Sequence, residues 1–412
     1  VPFGLLHAFV LAEICIGIVD VLFLAWVIRA GRWRVCGQFW FVAALAWWAW
    51  LLLCSLPLPG IGLHGAGWVV SFGFALVIIR FLVFALALQS WLLTTPALRT
   101  WLWIVIAMSC LWIGLESWQQ YLSGQNIFGD RRWGDGALTG PFWKPRAGDL
   151  YGHLLFVALV PVTAWLLARA HRAARVAGYA LTMIGAVTAV LIGQRMGTAF
   201  ALLGGLTAAV FLPRLRLAVF ASVAAAAVVL LATPVISPPT HAKLVGETAV
   251  NIGHFSRSPY GELFARAATM GFASPVVGYG YNAFRVDCAA PKFDGGVPAF
   301  HIPATSVAEN ACNLHPHNYY LQAFEEAGVP GLALFILMNG FLLLPFLRSL
   351  SQTRDVHVVA VFTGVLGYVW PVASTDAFPT LYEPGWFFLL LGLGLAMTAQ
   401  AGIRANEVGR LP

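Results

Sequence analysis

The sequence predicts an all-α polytopic membrane protein. Hydrophobic residues make up 60% of the chain and charged residues 10%, against about 25% charged in a soluble domain. Mean hydropathy is +0.80. Apolar runs of about 18 or more residues recur along the chain, the length of a membrane-crossing helix. The short alternating segments of a membrane β-barrel do not occur in the sequence.

Eleven spans can be read in order: 5–28, 39–56, 68–93, 101–122, 150–168, 176–193, 197–212, 217–233, 331–347, 356–374 and 386–402. A short helix over 316–327 precedes the ninth. The whole chain, 1–412, reads as one integral membrane domain. Basic connections set its orientation, because positive charge is retained on the cytoplasmic side. Arg29, Arg32 and Arg34 follow the first span. Arg99; Arg169, Arg172 and Arg175; Arg214 and Arg216; Arg348 and Arg354; and Arg404 and Arg410 mark every second connection after it. Asp355 and Glu407 accompany them. The net charge of +7 is therefore mostly a topology signal and excludes nucleic acid as the natural partner. An odd number of spans with Val1 outside predicts one further upstream helix in the full protein.

This orientation leaves two loops on the outer face, a smaller one at 123–149 and a large one at 234–316. The first is rich in Gly, Pro and Trp and carries Arg131, Arg132, Lys144 and Arg146 against Asp130, Asp135 and Asp149. It reads as a solvated loop or as a lip touching substrate. In the second, His241–Ile252 and Pro259–Phe272 are predicted amphipathic helices, with Leu263, Ala267 and Met270 on one face of the latter. Cys288 and Cys312 lie in this loop, where an oxidising compartment allows a disulfide. Cys15, Cys36, Cys54 and Cys110 lie in or beside spans as packed thiols. Trp47, Trp48, Trp50, Trp91, Trp101, Trp103 and Trp118 fall near span ends, where tryptophan anchors at the interface.

The chemistry concentrates where the large loop re-enters the membrane, at His315-Pro316-His317-Asn318-Tyr319-Tyr320-Leu321. Pro316 suits the first position of a helix. His317 would then occupy the first turn, where the helix dipole favours the neutral imidazole that a general base requires. The plainer reading is a histidine that caps or packs at the interface. The helix is expected to break at Val329-Pro330, since the residue before proline avoids the helical region. Glu325 and Glu326 sit close to the bilayer and need partners. Arginines in unusual places are the candidates: Arg195, in the tight outward turn Gly193-Gln194-Arg195-Met196-Gly197, and Arg80, inside the span 68–93. Arg80 is either a substrate contact or one half of a structural ion pair.

These segments together resemble the O-antigen ligase/polymerase superfamily. His317-Asn318-x-x-Leu321 with Glu326-x-Gly328-x-x-Gly331-Leu332 resembles its signature. Gln194-Arg195-Met196-Gly197 resembles its Ser-Arg-Gly turn, with glutamine for serine. Arg266 with Ser274-Pro275-Val276-Val277-Gly278-Tyr279-Gly280 resembles the arginine and Pro-x-x-Gly-x-Gly of its large periplasmic loop. Thr269 stands where that family usually has tryptophan. The likeness covers roughly 180–345.

The resemblance implies a GT-C-like bundle of about 11–12 helices in a Gram-negative inner membrane, with the active site facing the periplasm. It further implies transfer of O-antigen glycan from undecaprenyl diphosphate to lipid A–core, with no cofactor and no metal. His317, Arg266 and Arg195 are then the expected catalytic residues. Arg80, Gln194, His315, Asn318, Glu326 and Arg257 are the expected substrate contacts. The chemistry of the residues agrees. Guanidinium groups match phosphate oxygens in pairs and offset the charge that develops on a leaving diphosphate. A histidine takes the acceptor proton, and attack opposite the leaving group inverts the anomeric carbon. His315 and His317, two apart, lack the spacing of a metal site. A polymerase with a second lipid-linked glycan as acceptor shares all these features. A lipid-linked glycan transporter would explain the spans and Arg80, but not the polar His-Asn junction.

Overall fold

The computed structural model describes residues 1–58, 67–306, 312–375 and 381–408, with 400–408 as backbone alone. Arg404, Glu407 and Arg410 of the predicted charge pattern, and 307–311 of the large loop, lie outside the described side chains. The fold is all-helical, and among the described residues there is no strand, only isolated bridges.

The long helices are α1 (Phe9–Arg29), α2 (Phe39–Cys54), α3 (Gly67–Leu92), α4 (Pro96–Ser123), α5 (Ala147–Leu167) and α6 (Arg172–Ile192). They continue as α7 (Arg195–Phe211), α8 (Arg216–Ile236), α9 (Pro259–Ala273), α10 (Tyr319–Gln352), α11 (Val356–Val369) and α12 (Tyr382–Val408). Seven of them, α1, α3, α4, α5, α6, α8 and α10, are long and apolar enough to cross a membrane, so this is a multi-pass membrane protein. The predicted spans at 39–56, 197–212 and 356–374 are the shorter apolar helices α2, α7 and α11. The last predicted span falls on α12.

Helix α5 is the axis of the bundle. It is buried along most of its length and packs on α4, α6, α7 and α11. Elsewhere α2 lies on α10 and α3 on α12. Peripheral helices turn large apolar side chains outward, as in α8, where Leu231 and Val235 are more than 80% exposed. In a bilayer that surface meets hydrocarbon, and packing between helices relies on close van der Waals fit instead. The α5–α7 crossing shows it. A Cβ at Gly197 would collide with the carbonyl of Gly148, and one at Gly152 with the carbonyl of Gly197. Only glycine lets these two backbones touch.

Two local expectations are corrected. The first predicted span is broken at Ala8, where extended backbone separates a short helix, Pro2–His7, from α1. The helix predicted over His241–Ile252 forms, with a π-helical turn over Ala242–Gly246 that runs directly into Glu247–Gly253. Pro316 does not open a helix. Helix α10 begins at Tyr319, capped by Asn318, whose side chain accepts from Tyr320 N and Leu321 N. Asparagine at this position satisfies the orphan amides of the first turn, so the cap outranks proline in setting the start.

The predicted break in α10 appears one residue early, at Gly328, which has φ 67° and ψ −167°. Its cause is tertiary. Val329 N donates to Pro275 O at 2.7 Å, Tyr279 N to Glu325 O at 3.0 Å and Gly280 N to Glu326 O at 2.8 Å. The turn 274–280 is thus docked backbone to backbone on the kink. A Cβ on Gly278 or Gly328 would strike the facing main chain. Two of the motifs that carry the resemblance are therefore the two halves of one joint, which fixes the large loop to α10.

Beyond that joint the loop has a small core of its own. Leu263, Ala267 and Met270 share a buried face of α9, as their spacing predicts, and pack with Phe284, Cys288 and Phe293. Cys288 and Cys312 are disulfide-bonded, so the loop's return strand is tied to this core immediately before Asn313 and His315. Closing a loop of this size contributes about 3 kcal/mol. Replacing both cysteines by serine is expected to make residues 237–317 markedly more protease-sensitive in reconstituted protein, while the helical bundle resists as before. Equal resistance of the loop in both forms would show that the core holds without its staple.

Candidate active site

A cavity of about 660 Å³ opens at the end of the bundle where α5, α7 and α12 start and the large loop returns. It is lined by Arg146 and Asp149 from the start of α5, Gln194 and Arg195 from the α6–α7 turn, and Lys243 and Glu247 from the large loop. Tyr260, His315, His317, Tyr382 and Glu383 are also in the lining.

The α6–α7 turn is held by Gln194. Its Oε1 accepts from Asp149 N at 2.9 Å, and its Nε2 donates to Pro145 O. Both ends of this amide are engaged in clamping α7 to the start of α5, so Gln194 lines the cavity but spends its polar atoms on the scaffold. Arg195, the first residue of α7, projects with Nη2 3.5 Å from Glu247 Oε2. That long, partly exposed pair is weak and leaves the guanidinium accessible. Lys243 pairs with Asp135.

His317 stands just before α10 in the left-handed region, φ 55°. The conformation is held by Thr375 N donating to His317 O at 3.0 Å and by Asn318 Nδ2 donating to Pro371 O at 2.7 Å. His317 Nδ1 lies 3.1 Å from the carbonyl of Thr375 and 3.1 Å from His315 Nε2. A carbonyl only accepts, so Nδ1 carries the hydrogen and Nε2 presents its lone pair. Asn313 Nδ2 donates toward that Nε2 at 3.3 Å. The Tyr260 ring meets His317 edge-on, with centroids 5.8 Å apart. An imidazole held in one tautomer on the lining of a polar cavity is an arrangement that suits a general base.

Four of the residues singled out from the sequence thus share the cavity: Gln194, Arg195, His315 and His317. The other five lie off it. Arg80 is engaged by Glu13 through both carboxylate oxygens, at 2.8 and 3.0 Å, between α1 and α3, which is the structural alternative. Arg257 is exposed on the loop rim. Arg266 is fully buried in α9, with Nη2 2.8 Å from Asp294 Oδ1. It sits inside the loop core, because α9 turns that face toward 291–294 and away from the cavity. Asn318 is consumed as the helix cap. Glu326 accepts from Asn282 N at 2.8 Å and from Gln322 Nε2 at 3.0 Å, so it braces the joint between loop and α10.

Sequence reasoning passed over Lys243, Tyr260, Tyr382 and Glu383, and named Arg146 only among the charges of the 123–149 loop. Tyr319 Oη donates to Glu383 Oε2 at 3.0 Å, and Tyr382 Oη to the Arg146 carbonyl at 3.0 Å. The Arg146 guanidinium lies over the rings of Phe9, at 5.1 Å, and Tyr382, at 4.6 Å. One signal for Arg146 was available, its place at the very start of a span beside Asp149. The others arrive from separate elements and carry no local pattern.

The histidine pair and the turn arginine of the cavity fall within one stretch of sequence similarity. Residues 180–336 match the O-antigen ligase family model. The matched segment holds Arg195, Arg266, His315 and His317, whereas Arg80, Arg146 and Glu383 precede or follow it. The match implies a glycosyltransferase-like enzyme acting on lipid-linked glycans, in a family that includes polymerases as well as ligases. Comparison with curated proteins finds no match to the chain.

Proposed function

We propose that this protein is an O-antigen ligase, transferring a glycan from undecaprenyl diphosphate to a sugar hydroxyl of lipid A–core at the periplasmic face of a Gram-negative inner membrane. The observation that carries the reading is the single cavity that holds both a tautomer-fixed histidine and a loosely engaged arginine. In the reaction, the acceptor hydroxyl displaces the Asn313 amide and gives its proton to His317 Nε2. The oxygen attacks the anomeric carbon from the side opposite the diphosphate. The carbon–oxygen bond to the diphosphate breaks, its electron pair leaves with undecaprenyl diphosphate, and the anomeric configuration inverts. The Thr375 carbonyl, with His315 Nε2 as a second acceptor 3.1 Å from Nδ1, shares the Nδ1 hydrogen and stabilises the imidazolium. Arg195 offsets the charge growing on the departing phosphate, where a positioned donor is worth most. Arg266 acts as a positioning residue, keeping the loop core folded above the site. The cations of the cavity supply this charge, so chelators are expected to leave transfer unchanged.

A polymerase would use the same donor and the same cavity, and only the acceptor separates the two. Purified protein incubated with lipid-linked glycan and rough lipopolysaccharide is expected to yield lipopolysaccharide carrying the full glycan, resolved by size. Deleting the protein should leave undecaprenyl-linked glycan of normal chain length with none joined to lipid A–core. Lipid A–core capped with a single repeat unit in the deletion strain would make the protein the polymerase.

A further inference from the structure

The cavity of His317 and Arg195 is lined by carboxylates as well as by cations. Asp135 pairs with Lys243, and Glu247 lies 3.5 Å from Arg195. Glu383 and Asp149 are held by ring donors. Glu383 belongs to the first turn of α12, where the helix dipole stabilises negative charge. It is 7% exposed, and Tyr319 Oη donates to its Oε2 at 3.0 Å. A hydrogen bond to an ionised acceptor is among the strong ones, so it fixes the direction of the carboxylate. Tyr319 is the first residue of α10 and follows His317 by two positions. The start of α10 thus supports the histidine and the carboxylate together. The neighbouring Tyr382 donates through Oη to the Arg146 carbonyl at 3.0 Å, which ties the start of α12 to the start of α5.

An oriented, buried carboxylate is costly in a cavity that must take a diphosphate. Burying a charge needs compensation, and like charges repel. A positive charge that appears during the reaction removes the conflict. When the anomeric carbon–oxygen bond to the diphosphate breaks, the bonding pair leaves with the phosphate. The ring oxygen shares a lone pair with the anomeric carbon, and positive charge spreads over both, as in the oxocarbenium-like transition state of glycosyl chemistry. The acceptor oxygen completes the new bond, its proton passes to His317 Nε2, and the charge on the sugar vanishes. We propose that Glu383 is a catalytic carboxylate that stabilises this transient positive charge on the transferred sugar. The role rests on the glycan-transfer reading of the cavity and complements that of Arg195. The arginine answers the charge on the leaving group, and the glutamate answers the opposite charge on the sugar. A group fixed in place before the reaction does most, because nothing has to reorganise.

Asp149 is the weaker candidate for this role. His153 Nδ1 donates to the Asp149 carbonyl at 3.0 Å and lies 3.5 Å from its Oδ1. The Asp149 side chain is also 20% exposed. Its carboxylate is therefore held less firmly and screened more by water than that of Glu383. It supplies the comparison, because neutralising it changes the charge of the cavity lining by the same unit.

The test compares wild type with Glu383→Gln, Asp149→Asn and Tyr319→Phe in nanodiscs, given lipid-linked glycan and rough lipopolysaccharide. Glutamine keeps the side chain's volume and an acceptor for Tyr319 but carries no charge. Glu383→Gln is expected to lower kcat by about 10²-fold, as for other groups aimed at a developing charge. Its Kd for undecaprenyl diphosphate, which has no sugar, should be unchanged or tighter, because a repelling charge is gone. Retained binding also shows that the variant is folded. Asp149→Asn should lose clearly less in kcat. Tyr319→Phe, which keeps the charge but frees its direction, should lose kcat with Kd retained. Wild-type kcat in Glu383→Gln overturns the proposal. So does a raised donor KM at intact kcat, which marks a hydroxyl contact, or product binding weakened as much as kcat, which marks a packing role. An equal kcat loss in Asp149→Asn also overturns it, since the effect then belongs to the general potential of the cavity. If wild type transfers glycan only to a lipid-linked acceptor, the ligase reading fails and the role of Glu383 stands, because the same anomeric bond breaks in both reactions.

Discussion

Replacing His317 with alanine is expected to reduce glycan transfer by at least about 10²-fold, the usual worth of a positioned acid–base group. The expectation comes from geometry more than from residue type. The Thr375 carbonyl fixes the hydrogen on Nδ1, Asn313 Nδ2 lies 3.3 Å from Nε2, and His317 lines the cavity. Insertion and folding should be unaffected, because Asn318, not His317, caps α10. Steady-state transfer by purified wild type and variant, at matched reconstitution, checks it, and the loss should appear in kcat with donor binding retained. Turnover near the wild-type rate in His317→Ala would exclude this imidazole as the base. His315→Ala is expected to be milder than His317→Ala, since His315 contacts the ring of the base instead of the acceptor.

Removing Arg195 should be nearly as severe. Its guanidinium reaches the cavity from the first residue of α7 and is held only by a 3.5 Å contact with an exposed glutamate. A substrate phosphate can take that glutamate's place. Arg195→Ala is expected to cost about 10²-fold or more in kcat, comparable to loss of one donor to a developing anion. Arg195→Lys should recover part of the loss, because the point charge remains but the two-pronged geometry does not. Single-turnover measurements on a preloaded donor separate the chemical step from binding. If Arg195→Ala weakens donor binding and leaves the single-turnover rate intact, the residue binds ground state and transition state equally and stabilises no leaving group.

The segment 312–318 shows how function and fold share residues here. Within a few positions, Cys312 ties the chain to the loop core, Asn313 meets the basic nitrogen, His315 and His317 form the pair, and Asn318 starts α10. They are fixed by three elements between them: the loop core, the 371–375 segment and the helix itself. The placement of His317 therefore depends on contacts that are distant in sequence. That is why helix-dipole reasoning about His317 assumed the wrong local structure: the residue stands before α10 and not in its first turn.

By itself the sequence determined the helical class, the sites of the spans and the face of α9 that packs inward. Those follow from hydropathy and periodicity, which act over neighbouring residues. It also singled out His317 and Arg195, because a polar side chain at a span end has few structural uses. It could not say that Arg80 belongs to Glu13, that Arg266 is sealed in the loop core or that Gln194 clamps α5. A charged residue's role depends on which group lies opposite, and that group is supplied by another element. Nor could it show Arg146 lining the cavity with its guanidinium over Phe9 and Tyr382. Only the tertiary structure decided this, because the starts of α1, α5 and α12 meet there from three separate stretches of chain. Physically, the division follows the range of the forces. Burial and helical periodicity are written locally, whereas ion pairing, tautomer choice and cavity shape arise where distant segments touch.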